Sequence, residues 1–487
     1  MFSNLIMYIL IIVNILFAAT STEQIHNKDW TKQFGSIEND IGSAVTTDSV
    51  QNIIIAGNTN SIIGSKSAGS QDIFLKKLSN DGIEIWIRQF GSSDYDYVSA
   101  IAVDELDNIY LAGGARALLD INNKTTTGDM FVAKFNSNGV VQWSKQYTDN
   151  VAVFDMIVID SSIYAAGKST NLNGSDDIFI SKLDSNANEI WTKIYNSSDV
   201  ETAQVLFENR VLDKLHTVGE KFNQDSNSSY DILFNSYTND GLLEKSLILG
   251  TQGIDFATSM AVDSKGDVYI TGFTLDAFSS FSNAGKSDIF LVKYSNNAQV
   301  WVRQFGTVED DIARSIVIDD NDNIYISGTT DSAIVENVNI GKADIFISKF
   351  KNDGTNLWHK QYGSPLTDIV ISLGKNTNDD LFIAGYTDGS LYGNSNVGQK
   401  DAFLMKIKRD GDAPIAKIVV IQSDVLQKSI SFISESTTNN TATVEYYWDF
   451  GDGITSILQN PSHTFRSKGI YTVSLTVSNK GVSDTTK

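Results

Sequence analysis

Cysteine is absent from this chain, proline occurs three times and histidine four times in 487 residues. Without cysteine there are no disulfides, thiolate metal ligands, cysteine nucleophile or cysteine-linked lipid anchor. Positive charge is also scarce: 37 Lys and Arg stand against 59 Asp and Glu, a net charge of −22. That balance argues against nucleic acid or an anionic membrane surface as partner, since both need a basic patch. No stretch has the period of an amphipathic helix, and beyond residue 20 none could span a bilayer. His26, His216, His359 and His463 are scattered, with no pair at metal-ligand spacing. No Gly-x-Ser-x-Gly elbow, phosphate loop, dinucleotide fingerprint or sialidase-type Asp box occurs. The sequence therefore nominates no catalytic residue, no metal ligand and no cofactor.

One stretch differs from all the rest. Leu5 to Ala19 is nearly all apolar and ends in the small pair Ala18-Ala19. Its length suits the core of a signal peptide covering residues 1–22, although no Lys or Arg precedes it. Export follows as the expectation, with a secreted or cell-surface protein and no membrane span in the mature chain.

What the chain has in abundance is repetition. Asp72-Ile73-Phe74-Leu75-Lys76-Lys77 recurs from Asp129, Asp177, Asp231, Asp288, Asp344 and Asp401, at intervals of 48 to 57 residues. Such a period marks a propeller, solenoid or array. Each unit holds four short β-branched and aromatic runs joined by turns such as Asn80-Asp81-Gly82. Four strands in about 55 residues fit a propeller blade better than a β-solenoid coil, whose repeats are about 20–30 residues. Runs apolar at adjacent positions also fit a sheet sandwiched between two neighbours. The units open at Trp30, Trp86, Trp143, Trp191, Lys245, Trp301 and Trp358, which makes seven. The last lacks a following Trp run, and the first run, Trp30 to Gly35, lacks a preceding Asp-Ile-Phe run. The expectation is an all-β, seven-bladed β-propeller over residues 28–412, closed by the N-terminal strand.

The Trp-x-x-Gln-Phe-Gly start, the Asp-x-x-x-Asn-Ile-Tyr-Ile-x-Gly centre (Asp319 to Gly328) and the Asp-Ile-Phe-x-x-Lys run carry a resemblance. The repeat resembles the SBBP family, the beta-propeller repeat of secreted bacterial proteins, which implies a fold but no reaction. After Pro414 the composition changes, and Trp448-Asp449-Phe450-Gly451-Asp452-Gly453 stands near Pro461-Ser462-His463. Residues 413–487 resemble a PKD domain, an immunoglobulin-like β-sandwich; the resemblance implies a spacer or adhesive module. Trp448 and Phe450 are expected in its core, with Asp449, Asp452 and Gly453 in the turn. Such domains continue past a segment like Gly481–Thr486 into one more strand. This sandwich is therefore expected either to lack an edge strand or to belong to a longer protein.

Two rings of acids emerge from the repeat. One is the set of strand-starting aspartates. The other is Asp40, Asp96, Glu201, Asp255, Asp311 and Asp368, with Ala152 in the third unit. This second ring would encircle the channel mouth, on the face where the long loops 58–71, 114–128 and 273–287 emerge. It is a candidate ligand-binding set, joined by Asp94, which with Glu309 and Asp310 breaks the symmetry, and by Tyr95, which with Tyr97 and Tyr392 could stack on sugars or anchor an interface. The competing reading is architectural: a carboxylate in every blade accepts backbone N–H bonds and pins the loops. Calcium has no specific motif behind it, because turns such as Asp319–Asn323 lack the glycine and terminal glutamate of an EF-hand.

The function expected is that of a secreted or cell-surface, non-enzymatic recognition or scaffold protein. Its long-loop face would meet protein or polysaccharide partners in adhesion. The alternative is a carbohydrate-active hydrolase or lyase using acids at the channel mouth. An even ring of hydrogen-bonded aspartates favours the first; one asymmetric acid pair in a deep pocket favours the second.

Overall fold

A computed structural model describes residues 28–408 except 65–66, 118, 120–129, 148–149, 171–174, 196, 198, 224–228, 297 and 335–339. In the C-terminal unit it describes residues 418–421, 430–434, 436, 444–467, 470–479 and 482–486. The signal segment 1–22, His26, Asp129 and the residues around Pro414 lie outside the described residues. None of the described helical content is long and apolar enough to cross a membrane.

The described residues are all-β. Residues 28–408 form one unit of seven four-stranded antiparallel sheets. The first sheet is Asp40–Thr47, Ile53–Thr59, Asp72–Leu78 and Glu84–Phe90, paired in that order. Five further sheets repeat this order, starting at Asp96, Val151, Val205, Asp255 and Asp311. The seventh takes Asp368–Lys375, Leu381–Thr387 and Asp401–Ile407 from one end of the repeats, and Lys28–Phe34 from the other. Trp30 sits opposite Lys406 and Phe34 opposite Ala402. The Trp run is thus the fourth strand of each sheet, and sheet and sequence repeat are one strand out of phase.

The first strands of the seven sheets touch in succession, and Asp368–Lys375 in turn lies against Asp40–Thr47. They are the inner strands. Side chains replace main-chain bonds between them: the Ser99 hydroxyl donates to Val153 O and that of Thr258 to Ala313 O, each at 2.8 Å. Apolar clusters fill the gaps between neighbouring sheets. Ile53, Ile55 and Phe74 of the first, for example, pack with Phe382, Ala402 and Leu404 of the seventh. Because each sheet is covered on both faces, Asp72–Leu78 and Asp344–Phe350 are buried at every position.

In six of the seven sheets the inner strand carries a bulge beside the central glycine. The ladder skips Arg314 between Ala313 and Ser315, and the inner strand then crowds Gly328. A Cβ on Gly328 would lie 2.0 Å from the Ile312 carbonyl oxygen. Turns opposite the long loops follow one scheme. In Asp319–Asn323 the Asp319 carboxylate accepts the Asn321 and Asn323 N–H groups at 2.9 and 2.8 Å, with Asp322 in the left-handed region.

The C-terminal unit has a sheet of Ile418–Ile421, Ile430–Ser434 and Ser462–His463. A second sheet joins Thr455–Ser456, Glu445–Asp449, Ser474–Asn479 and Val482–Thr486. Phe432, Trp448, Phe450, Leu475 and Val477 form its core. His463 stacks on Phe450 and meets Asp452 at 2.8 Å, and the Asp449 carboxylate accepts the Gly451 N–H at 2.9 Å. The segment 482–486 is itself a strand, paired with Ser474–Asn479.

Candidate functional site

The long loops leave the sheets at the end where the inner strands begin. Asp40, Asp96, Asp255, Asp311 and Asp368 stand at that end, and each is 0% exposed. Each turns back on the connection before it. Asp40 accepts the Ser36 N–H and Asp96 the Ser92 N–H at 2.5 Å, Asp255 the Thr251 N–H at 2.6 Å, and Asp368 the Ser364 N–H at 2.5 Å. Asp311 takes the Thr307 N–H in the same way. The hydroxyls of Ser36, Ser92, Thr251 and Ser364 add a second donor to their acids.

Beside each of these acids lies a strand-starting aspartate: Asp401, Asp72, Asp231, Asp288 and Asp344 in turn. A glycine separates the two carboxylates. At Gly91 a Cβ would meet Asp72 Oδ1 at 2.4 Å and Asp96 Oδ2 at 2.9 Å. Burial, opposed by the Ser92 hydrogen bonds and helped by repulsion from Asp72, raises the Asp96 carboxyl to about 6. Burial raises Asp40, Asp255, Asp311 and Asp368 as well. One oxygen on each of Asp40, Asp255, Asp288, Asp311 and Asp344 is buried without a hydrogen-bond partner among the described residues.

The rest of the signature is equally occupied. Gln89 donates to Asp72 at 2.8 Å while its carbonyl oxygen accepts the Ile63 and Gly64 N–H groups, clamping the long loop. Gln304 with Asp288 and Gln361 with Asp344 do the same, and Gln33 reaches Asp401 at 3.0 Å from the other end of the chain. Lys77 pairs with Asp48 at 2.8 Å and Lys406 with Asp380 at 3.0 Å. The indole N–H of Trp301 donates to Asn352 O, in the turn of the next sheet, at 3.2 Å.

The third and fourth sheets depart from this scheme. Register places Val151, two residues before the bulge-flanking Val153, where other sheets have the acid; Asp40 stands likewise two before Gly42. The expectation of Ala152 there is corrected by one residue, because the preceding connection differs in length and shifts the alignment. In the fourth sheet Glu201 occupies the acid position but bonds a cation, Lys221, at 2.5 Å, and Lys221 also holds Asp199 at 2.8 Å. Lys168 and Asp176 form a similar pair at 2.7 Å in the third.

What remains at the mouth is irregular and accessible. Tyr95 is 42% exposed, 6.4 Å from the Tyr97 ring and under the Arg116 guanidinium. Asp94 caps its own loop by accepting the Tyr95 N–H at 2.8 Å. An aromatic ladder runs from Phe222 to Tyr230, Phe256 and Phe273 with ring centroids 5.0–5.3 Å apart. Tyr392, also 42% exposed, carries the Lys28 ammonium 3.9 Å above its ring. The ladder, Arg116 and the lysines were not legible as a site in the sequence; only their failure to repeat could have marked them. Among the described residues no group of three or more His, Cys, Asp or Glu is arranged to hold a metal ion.

Comparison with known proteins agrees with this division. Residues 29–64, 85–114, 244–276 and 300–334 match the family described as beta-propeller repeat, and residues 411–487 match the PKD domain. The chain thus carries SBBP beta-propeller repeats followed by a PKD domain. It is similar to an uncharacterized WD repeat-containing protein, L264, of Acanthamoeba polyphaga mimivirus, at 22% identity over 483 aligned positions. That match covers 79% of this chain and 34% of the viral protein, so the chain spans about a third of that relative's length. A stretch of 56 residues, 11% of this chain, is 45% identical to 6% of collagenase ColA of Bacillus cereus. Among solved structures, a puromycin hydrolase mutant superposes with a TM-score of 0.47 at 8% identity, covering 84% of this chain and 61% of that one.

Proposed function

We propose that the chain is a non-enzymatic recognition or scaffold protein of the cell exterior. Its propeller meets protein or polysaccharide partners through the long-loop face, and its PKD domain serves as spacer or second contact. The observation that carries this reading is the evenness of the acid ring. Five aspartates are buried alike and bonded alike to backbone N–H groups, so no single pair stands out as acid and base. Side chains that differ from sheet to sheet, Tyr95, Arg116 and the Phe222–Phe273 ladder, are the ones solvent reaches, and exposed aromatics with arginine suit contact surfaces. The test is retention of the full chain on a panel of polysaccharides and surface-protein extracts, with new chain ends assayed in the same wells. Retention without new ends, weakened at least about threefold by Tyr95→Ala or Arg116→Ala at unchanged melting temperature, is the expected result. New reducing or unsaturated ends would overturn the proposal and make the face an active site.

A further inference from the structure

In six of the seven sheets a bulge in the inner strand leaves one residue outside the ladder. In six sheets these residues are Ser43, Ser99, Phe154, Thr258, Arg314 and Ile371. Five are neutral. Arg314 is the exception, and solvent reaches it while Ala313 (0% exposed) and Ile316 (4%) beside it are buried. Its guanidinium has no hydrogen bond or ion pair among the described residues, in a chain with 59 acids to choose from. The titratable group that bears on its charge is the Tyr386 phenol. Desolvation by nearby protein lowers its pKa from the ordinary arginine value. Tyr386 stands at the long-loop end of the seventh sheet, opposite Ile369. Over its ring, 4.2 Å from the centroid, lies the Lys400 ammonium, which has no acidic partner among the described residues.

An accessible arginine with no counter-charge among the described residues keeps its fork open, and that fork is shaped for a planar anion. We propose that Arg314, with Tyr386 and Lys400, binds the carboxylate of a monoanionic ligand at the inner wall between the sixth and seventh sheets. A monoanion is favoured over a phosphate dianion because Glu309, Asp310 and Asp331 cluster at the loop end of the sixth sheet and repel further charge. The site deepens the recognition reading, and two carboxylate sources fit it: a sugar acid or the end of a peptide.

The experiment is saturation-transfer NMR of the full chain with glucuronate, acetyl-diglycine and glucose. At least one carboxylate should take up saturation and glucose should not, with binding weakened several-fold between about 20 and 300 mM NaCl. Arg314→Gln should weaken it at least about tenfold, Lys400→Gln about two- to fivefold, and Arg314→Lys should keep part of it, since a point charge replaces a fork. Binding of glucuronate alone assigns a sugar acid; binding of acetyl-diglycine alone assigns a peptide end. Arg314 bonds nothing in the fold, so its variants should melt with the wild type. Unchanged affinity in Arg314→Gln, equal binding of glucose, or no binding of either acid overturns the site. Polymer retention that survives Arg314→Gln would leave the recognition reading standing while this proposal falls. Arg314-dependent glucuronate binding without polymer retention would do the reverse.

Discussion

Where the first sheet meets the second, Asp96 is hidden from water and spends both oxygens on Ser92, with Asp72 as its neighbour. At the same position in the fourth sheet, Glu201 grips Lys221, which grips Asp199 in turn. Both arrangements tie the start of an inner strand to the connection around it. The first does so with main-chain donors and two crowded carboxylates, the second with an ion-paired triad at the edge of water. A shared structural task can therefore be met by opposite electrostatics. The acid ring marks where loops are pinned, whatever else happens at that face.

The largest effect tests what the two regions have in common. A Cβ on Gly328 would sit 2.0 Å from the Ile312 carbonyl oxygen, and one on Gly219 2.1 Å from that of Thr202. In both, the obstacle is a backbone carbonyl of the neighbouring inner segment. Gly328→Ala and Gly219→Ala should each cost about 3 kcal/mol or more, as overpacking against rigid backbone does. Chemical denaturation of the two variants checks this, and a cost confined to the sixth sheet would show that the fourth is built differently at its core too.

A smaller effect separates the regions by sign. Asp96 has a folded pKa of about 6, above the ordinary carboxylate value, so the folded state holds its proton more tightly. Stability from Asp96 is therefore gained as pH falls through 6 and lost as it rises again, by at most about 3 kcal/mol for a two-unit shift. His216, in the fourth sheet, is buried, packs with its ring tilted against Phe234 and falls to about 4, chiefly by desolvation. Its neutral form stabilises the fold above the ordinary histidine value, and that contribution fades as pH drops from 6.5 towards 4. Melting temperatures from pH 7.5 to 5.5 should thus respond oppositely to two substitutions. Asp96→Asn should remove a gain on acidification, and His216→Gln should remove a loss. Equal slopes in both variants and the wild type would erase the distinction.

Much of this was open to reading in the sequence, and the reason is repetition. The Asp-Ile-Phe spacing counts the sheets, and the unmatched Trp30 run at one end foretells its pairing with Asp401–Ile407 at the other. Trp448 and Phe450 in the sandwich core follow from their motif. The missed features depend on local geometry that leaves no pattern in the residues. A preceding connection of different length puts Val151, not Ala152, into the acid register of the third sheet. Arg314 lies in Asp311–Ile318, which reads as an ordinary strand; only the bulge turns it out of the ladder. That the acids are buried rather than presented at the mouth likewise depends on where Ser36, Ser92 and Ser364 place their N–H groups.

The smallest effect sharpens the comparison through salt. Lys221 is 17% exposed at its side chain, so water and ions reach the triad, whereas the Asp96 junction is closed to both. Lys221→Met would leave Glu201 and Asp199 facing each other without a cation. The loss should be about 1–2 kcal/mol at low ionic strength, below the cost of breaking a fully buried pair because solvent already screens this one. Raising NaCl from about 50 mM to 1 M should shrink the difference between wild type and Lys221→Met by half or more, since the Debye length falls to about 3 Å. Asp96→Asn should show no such convergence: its partners are the buried Ser92 N–H and hydroxyl, whose bonds ions cannot reach. If both variants converge on the wild type alike in high salt, the two junctions share one electrostatic mechanism and the division between them fails. If only Lys221→Met converges, the fourth sheet is the place where the propeller is held by charge.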